Sequence, residues 1–398
     1  MKKFLTLLLG LVTAVTVFAA QPLVTDSTLV VSLLTCSPGS QVYELYGHTG
    51  LRVRSTQQHT DYVYNYGVFD FNAPHFVWRF VLGETDYMVA PIPYPWFYEE
   101  YQYRGSSITE QVLNLKPYEA ECLVNALRRN CQHENRVYRY NFLTNNCTTK
   151  VRDIIEENID GAVVYPIRTK TGSFRTVLHE FTEGHPWARE SNDLLLGAAM
   201  DTAITQRDAQ FSPLYLMQDA AGAMIALRGT YRPLVSETNI LLKENEAAAK
   251  AYADENPSFP VSPLAVSIVG VLAAIALALW ERKRGSIWWP ADIVLMSLQG
   301  LGGIVVTILV CWSAHPGVAS NWQIIVLNPL PLIALPFVVM YDRRHTSCAY
   351  HYAAAAALLL FLLTAPLMRQ HYSFLIYPIA FVMLTRAVSH LNIYRKRP

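Results

Sequence analysis

The last third of the chain is dominated by apolar runs that are long enough to cross a lipid bilayer. A helix needs about 20 predominantly apolar residues to span the hydrocarbon core. The pattern therefore predicts a bundle of about five transmembrane helices, with runs at 261–280, 293–312, 324–341, 349–368 and 374–391.

The charges between these runs predict the orientation of the bundle. Lys and Arg are concentrated at 281–284, at 342–344 and at the carboxyl end of the chain. The segment 313–321 contains neither Lys nor Arg, and 369–371 contains a single Arg. Because basic loops remain in the cytoplasm, the amino-terminal part lies outside the cytoplasm and the carboxyl end lies inside it.

The first 20 residues have the features of a secretory signal. Lys2 and Lys3 precede an apolar run at 4–18, and Ala19 and Ala20 supply small residues for cleavage. We therefore predict a signal peptide at 1–20, an extracytoplasmic domain at 21–257 and a membrane domain at 258–398. The signal and the loop charges point independently to the same side of a bacterial inner membrane.

Charge argues against several classes of function. The formal net charge is +1, from 32 Lys and Arg against 31 Asp and Glu, which gives no support for a nucleic-acid partner. The predicted spans hold few ionisable groups, and Asp292 and His351 are expected near the membrane interfaces rather than in a proton relay.

The sequence predicts no cofactor and no bound metal, since neither His48 nor Cys147 has neighbouring ligands at zinc spacing.

The extracytoplasmic part has the pattern of an α+β domain. Residues 29–35, 49–54 and 61–71 are rich in β-branched and aromatic residues and predict strands. Residues 91–103 are expected to form a long loop, 119–130 an amphipathic helix and 137–142 a short strand. The following region, 159–252, is predicted to be mostly helical, with candidate helices at 192–203, 212–227 and 241–254.

Cys147 opens a helical pattern and is the first candidate functional residue. Asn145 or Asn146 precedes it as a helix cap, and Val151 and Ile154 recur at helical spacing. A thiol at a helix start has its pKa lowered from about 8.5 to roughly 3.5–7.5, which favours the nucleophilic thiolate. The alternatives are a small buried hydrophobic residue or one half of a disulfide.

His48 is the candidate general base for this thiol. It lies at a strand start between Gly47 and Gly50, where a small residue allows a ligand or another backbone to approach closely. A third group must orient the imidazole through its other ring nitrogen. Asn65, on the next predicted strand, is the first choice, and Asp61 and Asp70 remain alternatives.

The order of these parts resembles a known family of folds. A histidine strand, a strand with a polar residue and then Asn-Cys at a helix start is similar to the circularly permuted papain-like fold of NlpC-type cysteine peptidases and of lecithin:retinol acyltransferase relatives. More closely, the chain resembles Lnb-type lipoprotein N-acyltransferases. The matching motifs are LTCSPG at 34–39, GHTGLRV at 47–53, YNYGVFDF at 64–71 and NCTTKVRD at 146–153.

The resemblance implies a circularly permuted papain-like (NlpC-like) α+β domain followed by an all-α membrane bundle. Cys147 would attack an ester carbonyl of a membrane phospholipid with His48 as base, and the backbone N–H of Cys147 would help to hold the oxyanion. The α-amine of a diacylglyceryl-modified lipoprotein would then take the acyl chain from the thioester. Catalytic roles are thus expected for Cys147, His48 and Asn65, and substrate-binding or supporting roles for Asn146, Tyr66, Arg52, Arg152, Asp153 and Cys36.

Two other functions fit the same residues. A membrane-anchored cysteine peptidase or amidase acting on cell-wall peptides would keep Cys147 and His48 and use water as the acceptor. A sensor would use the papain-like domain only to bind a ligand. The predicted spans favour the acyltransferase, since they hold the domain where phospholipids and lipoproteins meet.

Overall fold

The structure is a computed structural model that describes residues 28–169, 172–255, 257 and 259–394. The predicted signal peptide at 1–20 and the basic residues at 395–397 lie outside the described residues. The strands, in chain order, are β1 (Leu29–Cys36), β2 (His48–Ser55), β3 (Thr60–Val68), β4 (Asp86–Pro93), β5 (Ile108–Leu113), β6 (Val137–Arg139), β7 (Ala162–Val164), β8 (Met224–Leu227), β9 (Thr230–Pro233) and β10 (Val235–Leu242).

Helices alternate with these strands in the first part of the chain and then form the whole of the last part. The helices of the α/β part are α1 (Phe76–Leu82), α2 (Tyr94–Arg104), α3 (Pro117–Asn130), α4 (Cys147–Glu157), α5 (Phe174–Phe181), α6 (Pro186–Leu195), α7 (Gln206–Ala209), α8 (Pro213–Ala221) and α9 (Glu246–Glu255). The helices of the last part are α10 (Pro263–Arg284), α11 (Trp289–Trp312), α12 (Leu330–Arg343), α13 (Ala349–Thr364) and α14 (Ile376–Tyr394).

An antiparallel sheet of seven strands organises the α/β part. Its strand order is β10-β5-β1-β2-β3-β4-β6. Alternation along β1 and β2 divides the side chains between two faces. Leu33 and Leu51 pack with helices α3, α4 and α8 on one face, whereas Leu34 packs with Phe97 of α2 on the other. Burial of both faces explains the nearly continuous apolar run of β1.

Helix α4 is held against the middle of this sheet. Val151, Ile154 and Ile155 are each at most 4% exposed and belong to the same core cluster as Leu51 of β2. Burial of three such side chains stabilises the helix by several kcal/mol, at about 1.5–3 kcal/mol each. Because this apolar stripe fixes the rotation of α4 and its position on the sheet, the location of its first residue is fixed as well.

Two expectations about local structure are wrong. Residues 94–104 form helix α2 rather than a loop, because Pro95 stands in the first turn, where proline is tolerated, and Phe97 and Tyr101 are buried against the sheet. The region 159–252 is not mostly helical, since it contains β7 to β10. Strand β10 is added to the free edge of β5, and a pairing so distant in sequence has no local signal.

The five predicted spans are confirmed as helices long and apolar enough to cross a membrane. These are α10, α11, α13, α14 and the segment Trp322–Arg343, in which a short 3₁₀ turn at Trp322–Ile325 precedes α12. The α/β domain followed by these helices is the fold class predicted from the sequence.

Contacts between the two parts agree with the predicted orientation. The loop after α11 reaches helix α6, where Asn321 Nδ2 donates to the Leu194 carbonyl at 2.8 Å and Gln323 Nε2 donates to the Asp193 carbonyl at 2.7 Å. In the loop before α14, Ser373 Oγ donates to Glu190 at 2.7 Å. Both loops are the ones poor in Lys and Arg, so the α/β domain lies on the side that the charge pattern assigns to it.

The opposite end of the bundle contains a buried ion cluster. Arg386 of α14 donates to Glu281 at 2.7 Å and forms a bidentate pair with Asp292 at 2.9 and 2.7 Å. His390 contacts the same Asp292 at 3.1 Å and stacks on His351. Asp292 and His351 lie in the first turns of α11 and α13, near the ends of the spans, and are only 1% and 2% exposed because the cluster is buried between helices.

Removal of Arg386 should destabilise the bundle because Glu281 would lose its ion-pair partner and Asp292 would keep only His390, while both carboxylates remain buried. We predict that Arg386→Met lowers the free energy of unfolding by about 3–5 kcal/mol. The measurement is unfolding of the purified protein in mixed micelles with increasing denaturing detergent. The matched control is Arg282→Met at an exposed position, with an expected change within about 0.5 kcal/mol. Equal stability of the two variants would contradict the prediction.

Candidate active site

Helix α4 begins at Cys147 and is capped by the preceding residue. The side-chain oxygen of Asn146 accepts the N–H groups of Thr148 and Thr149, both at 2.9 Å. Its amide nitrogen donates to the carbonyls of Phe142 and Phe211 at 2.8 and 2.9 Å. Asn146 is therefore the cap, and its side chain fixes the start of the helix on both sides. The N–H of Cys147 itself takes no part in these cap bonds.

His48 lies between Cys147 and Asn65. Its Nε2 is 2.9 Å from Oδ1 of Asn65, and since an amide oxygen only accepts, Nε2 donates. The imidazole is also close enough to the thiol of Cys147 for each group to shift the pKa of the other. With Nε2 occupied by Asn65, Nδ1 is the ring atom left for the thiol. The structure thus brings together the three residues that the sequence analysis selected from strands β2 and β3 and helix α4.

The electrostatics of this group favour charge separation. Burial raises the pKa of the Cys147 thiol, but the His48 charge, its hydrogen bond and the Thr49 N–H act more strongly together and lower it to about 7. For His48, burial lowers the pKa, but the Cys147 thiolate and the hydrogen bonds raise it by more. The pKa of His48 is therefore raised overall. The two shifts have opposite directions, which is the signature of a coupled thiolate–imidazolium pair.

Gly67 makes room for the imidazole. A Cβ atom at this position would lie 2.7 Å from Cε1 of His48 and 3.1 Å from Oδ1 of Asn65. The N–H of Gly67 donates to that same oxygen at 2.7 Å, so it orients the Asn65 amide toward the ring. The sequence analysis assigned Gly67 no role in the site. The available signal was a glycine two residues after the polar candidate, near an irregularity in the β3–β4 pairing.

Three tyrosines lie near enough to Cys147 for its charge to affect their pKa values. Tyr87 and Tyr140 stack with ring centroids 4.0 Å apart, and Tyr138 donates its hydroxyl to the Tyr66 carbonyl. Burial raises the pKa of Tyr87 to about 12, and the nearby charge of Cys147 adds to this increase. The pKa values of Tyr138 and Tyr140 are raised in the same direction, mainly by burial. These tyrosines remain neutral and were not predicted from the sequence.

Cys36 and Tyr66 lie near the site without contacting the thiol directly. Cys36 pairs with His48 across strands β1 and β2 and is 1% exposed. Burial raises the pKa of its thiol, which keeps it protonated. The hydroxyl of Tyr66 accepts from Asn130 at 2.9 Å, so it ties β3 to helix α3.

Arg52 is enclosed by partners from the protein itself. It pairs with Asp61 at 2.8 and 2.6 Å, contacts Glu110 at 3.1 Å and covers the ring of Tyr94. Asp61 is therefore directed at Arg52. Asp70 is exposed and accepts the N–H of Asn72, as in a turn. Of the three candidates for orienting His48, Asn65 is the one in hydrogen-bond contact with the imidazole.

Arg152 and Asp153 connect helix α4 to the segment around α7. Arg152 is 6% exposed, pairs with Asp153 at 2.8 Å and donates to the carbonyl of Arg207 at 3.0 Å. The Arg207 side chain pairs with Asp153 at 2.9 Å. These contacts anchor the helix that carries Cys147, so the observed geometry gives both residues a supporting position.

Two other groups of described residues bring three possible metal ligands within 4.8 Å of one another. One group is His179, Asp193 and His371, and the other is Asp342, His351 and His390. Asp193 already contacts Arg175 at 2.7 Å, and His390 contacts Asp292, so both groups contain ion pairs within the protein. Cys147 and His48 belong to neither group.

Comparisons with protein families identify both parts of the chain. Residues 23–180 match the family model described as the Lnb N-terminal periplasmic domain. Residues 254–397 match the family model described as the Lnb transmembrane domain. No curated protein and no solved structure gives a significant match.

The low pKa of Cys147 can be read from the pH dependence of its alkylation. Thiolate reacts and thiol does not, so modification by iodoacetamide should rise with pH with a midpoint of about 7. In His48→Gln the imidazolium is absent while burial persists, and the midpoint should move to about 8.5 or above. Mass spectrometry of the Cys147 peptide measures the rate, and the exposed Cys122 peptide is the internal control. An unchanged midpoint in His48→Gln would contradict the coupling.

Substitution of Gly67 tests whether the imidazole depends on the space that glycine leaves. In Gly67→Ala the added Cβ would displace His48 from Cys147, so alkylation of Cys147 at pH 7 should slow by about tenfold. The matched control is Gly270→Ala, since a Cβ there meets nothing within 4 Å. The prediction is wrong if Gly67→Ala is alkylated at the wild-type rate while circular dichroism shows an intact fold. The imidazole would then tolerate the added methyl group.

Proposed function

We propose that this chain, which belongs to the Lnb family of lipoprotein N-acyltransferases, moves an acyl chain from a membrane phospholipid to lipoproteins through a thioester on Cys147. The acceptor is the α-amine of the diacylglyceryl-modified cysteine at the lipoprotein amino terminus. The observation that supports the proposal is the group of Cys147, His48 and Asn65 at the start of α4, in which His48 is hydrogen-bonded to Asn65 and the pKa of Cys147 is lowered by His48. The chain is a multi-pass protein of the inner membrane, and this group lies in its periplasmic domain.

In the first half-reaction, Cys147 is the nucleophile and His48 is the general base. The thiol proton passes to Nδ1 of His48 and sulfur attacks the ester carbonyl of the phospholipid. The N–H of Cys147, at the positive end of α4, is positioned to donate to the oxyanion. The carbon–oxygen bond breaks, His48 returns the proton to the leaving oxygen, and a lysophospholipid departs.

In the second half-reaction, the lipoprotein amine attacks the thioester. His48 takes a proton from the amine, the carbon–sulfur bond breaks and the proton returns to sulfur. The products are an amide and free Cys147. Asn65 acts as a positioning residue, because its bond to Nε2 keeps Nδ1 facing sulfur through both steps.

The location of the site supports transfer to lipoproteins rather than hydrolysis. Helices α10 to α14 keep the periplasmic domain at the membrane face, where acyl donor and acceptor both lie. Loops of the membrane domain hydrogen-bond to helix α6, so the domain is docked on the bundle rather than merely tethered.

The proposal is tested in cells that depend on this chain for lipoprotein N-acylation. With the wild-type chain or the control Cys122→Ser, mass spectrometry of lipoprotein amino-terminal peptides should show the N-acyl group. With Cys147→Ser the same peptides should retain a free α-amine. Purified Cys147→Ser, incubated with phospholipid, should lack the acyl mass that the wild-type protein carries and releases in hydroxylamine. N-acylated lipoproteins in the Cys147→Ser strain would overturn the proposal.

A further inference from the structure

Helix α1 presents apolar side chains to its surroundings. Val77 is 74% exposed, Trp78 53% and Phe80 46%, and the helix has no buried residue. A contiguous exposed apolar face of this kind marks an interaction site rather than ordinary surface. The sequence analysis did not assign this segment.

The position of α1 relative to the membrane is fixed by hydrogen bonds to the segment that follows helix α11. Just beyond the end of α11, the N–H of Ala314 donates to the carbonyl of Leu82, and Ser313 Oγ donates to the carbonyl of Val81, both at 2.8 Å. The next residue, Gly83, has φ of +71°, and a Cβ there would lie 2.8 Å from the backbone nitrogen of His315. Helix α1 thus lies at the periplasmic end of a span, at the level of the periplasmic interface of the inner membrane.

A series of aromatic rings connects α1 to the thiol. Phe80 stacks on Phe76 at 6.4 Å, Phe76 on Phe69 at 5.9 Å, Phe69 on Tyr87 at 4.7 Å and Tyr87 on Tyr140 at 4.0 Å between ring centroids. Tyr87 pairs across β4 and β6 with Tyr138, which packs against the same core cluster as Cys147. The series therefore leads from the membrane side toward the nucleophile.

A cavity of about 240 Å³ lies along this series. Its walls include the apolar side chains of Phe76, Met88 and Val137 and the ring of Tyr87, together with Arg79 and Asp86, which form an ion pair with each other. Another cavity, of about 580 Å³, lies elsewhere, between helix α6 and the start of α14, and includes Arg189 and Tyr377. Only the smaller of these two cavities shares residues with the ring series.

We propose that the acyl chain being transferred lies along this series, from Cys147 through the 240 Å³ cavity to the outer leaflet at α1. The proposal rests on the proposed function, because a chain bound to Cys147 as a thioester must leave the sulfur toward an apolar environment. Exposure of a long alkyl chain to water is unfavourable, and the free-energy cost increases with each methylene group. The ring series supplies apolar contact over the distance from sulfur to lipid.

The location of the chain is tested by photo-crosslinking of the acyl-enzyme. Full-length protein in nanodiscs is acylated from a phospholipid whose acyl chain carries a diazirine, with no lipoprotein present, and is then irradiated. A diazirine at mid-chain should label Phe69, Phe76 or Tyr87, and one at the chain end should label α1. Labelling instead around Tyr377, in the larger cavity, would overturn the proposal while leaving the proposed function intact. Failure of Cys147 to acquire any acyl group would overturn both.

Kinetics of acyl-enzyme formation provide a second measurement. In Val77→Ser/Trp78→Ser, the ratio of the rate with long-chain phospholipid to the rate with a short water-soluble ester should fall by about tenfold, because apolar contact with the leaflet is lost. The matched control is Trp96→Ser, since Trp96 is 68% exposed on helix α2 and lies outside the ring series. The control ratio should remain within about twofold of wild type. Equal ratios in the two variants would overturn the proposal.

Discussion

The contact between Cys147 and His48 depends on the fixed position of helix α4 against strand β2. The two residues come from elements 99 positions apart, and both are bound from several directions. Thr49 and Thr148, their neighbours, make a buried hydroxyl contact at 3.1 Å that joins the strand directly to the first turn of the helix. With the Asn146 cap on one side and the apolar stripe of α4 on the other, sulfur is held where the imidazole can share its proton.

The same rigidity extends to the membrane. Helix α6 is bonded to the loops after α11 and before α14, and helix α1 is bonded to the end of α11. These two attachments involve different parts of the α/β domain, so they fix its tilt as well as its distance from the bilayer. A site that receives substrates from the lipid phase needs both quantities fixed, because the thiol must face the route by which a lipid arrives.

Much of the candidate site was predictable because its signals are local. A capped helix start with a cysteine, a histidine between glycines and an asparagine on the next strand are each readable within a few residues. Other features have no such signal. Strand β10 pairs with β5 more than 100 positions away, and the ion cluster around Arg386 requires charges from several helices that only the folded bundle brings together. Helix α2 was not predicted because the many prolines and tyrosines in this segment favoured a loop, although proline is tolerated in the first turn, where Pro95 stands.

The sequence by itself determined the membrane anchoring, the orientation, the fold class and the residues able to perform thiol chemistry, since apolar length, charge bias and helix capping are properties of neighbouring residues. The tertiary structure decided which polar group orients His48, that Arg52 and Asp61 neutralise each other, and that Gly67 provides space for the imidazole. It also decided which aromatic residues join the thiol to the membrane side. Those outcomes depend on distances between strands, helices and spans, and such distances are set by packing rather than by local sequence pattern.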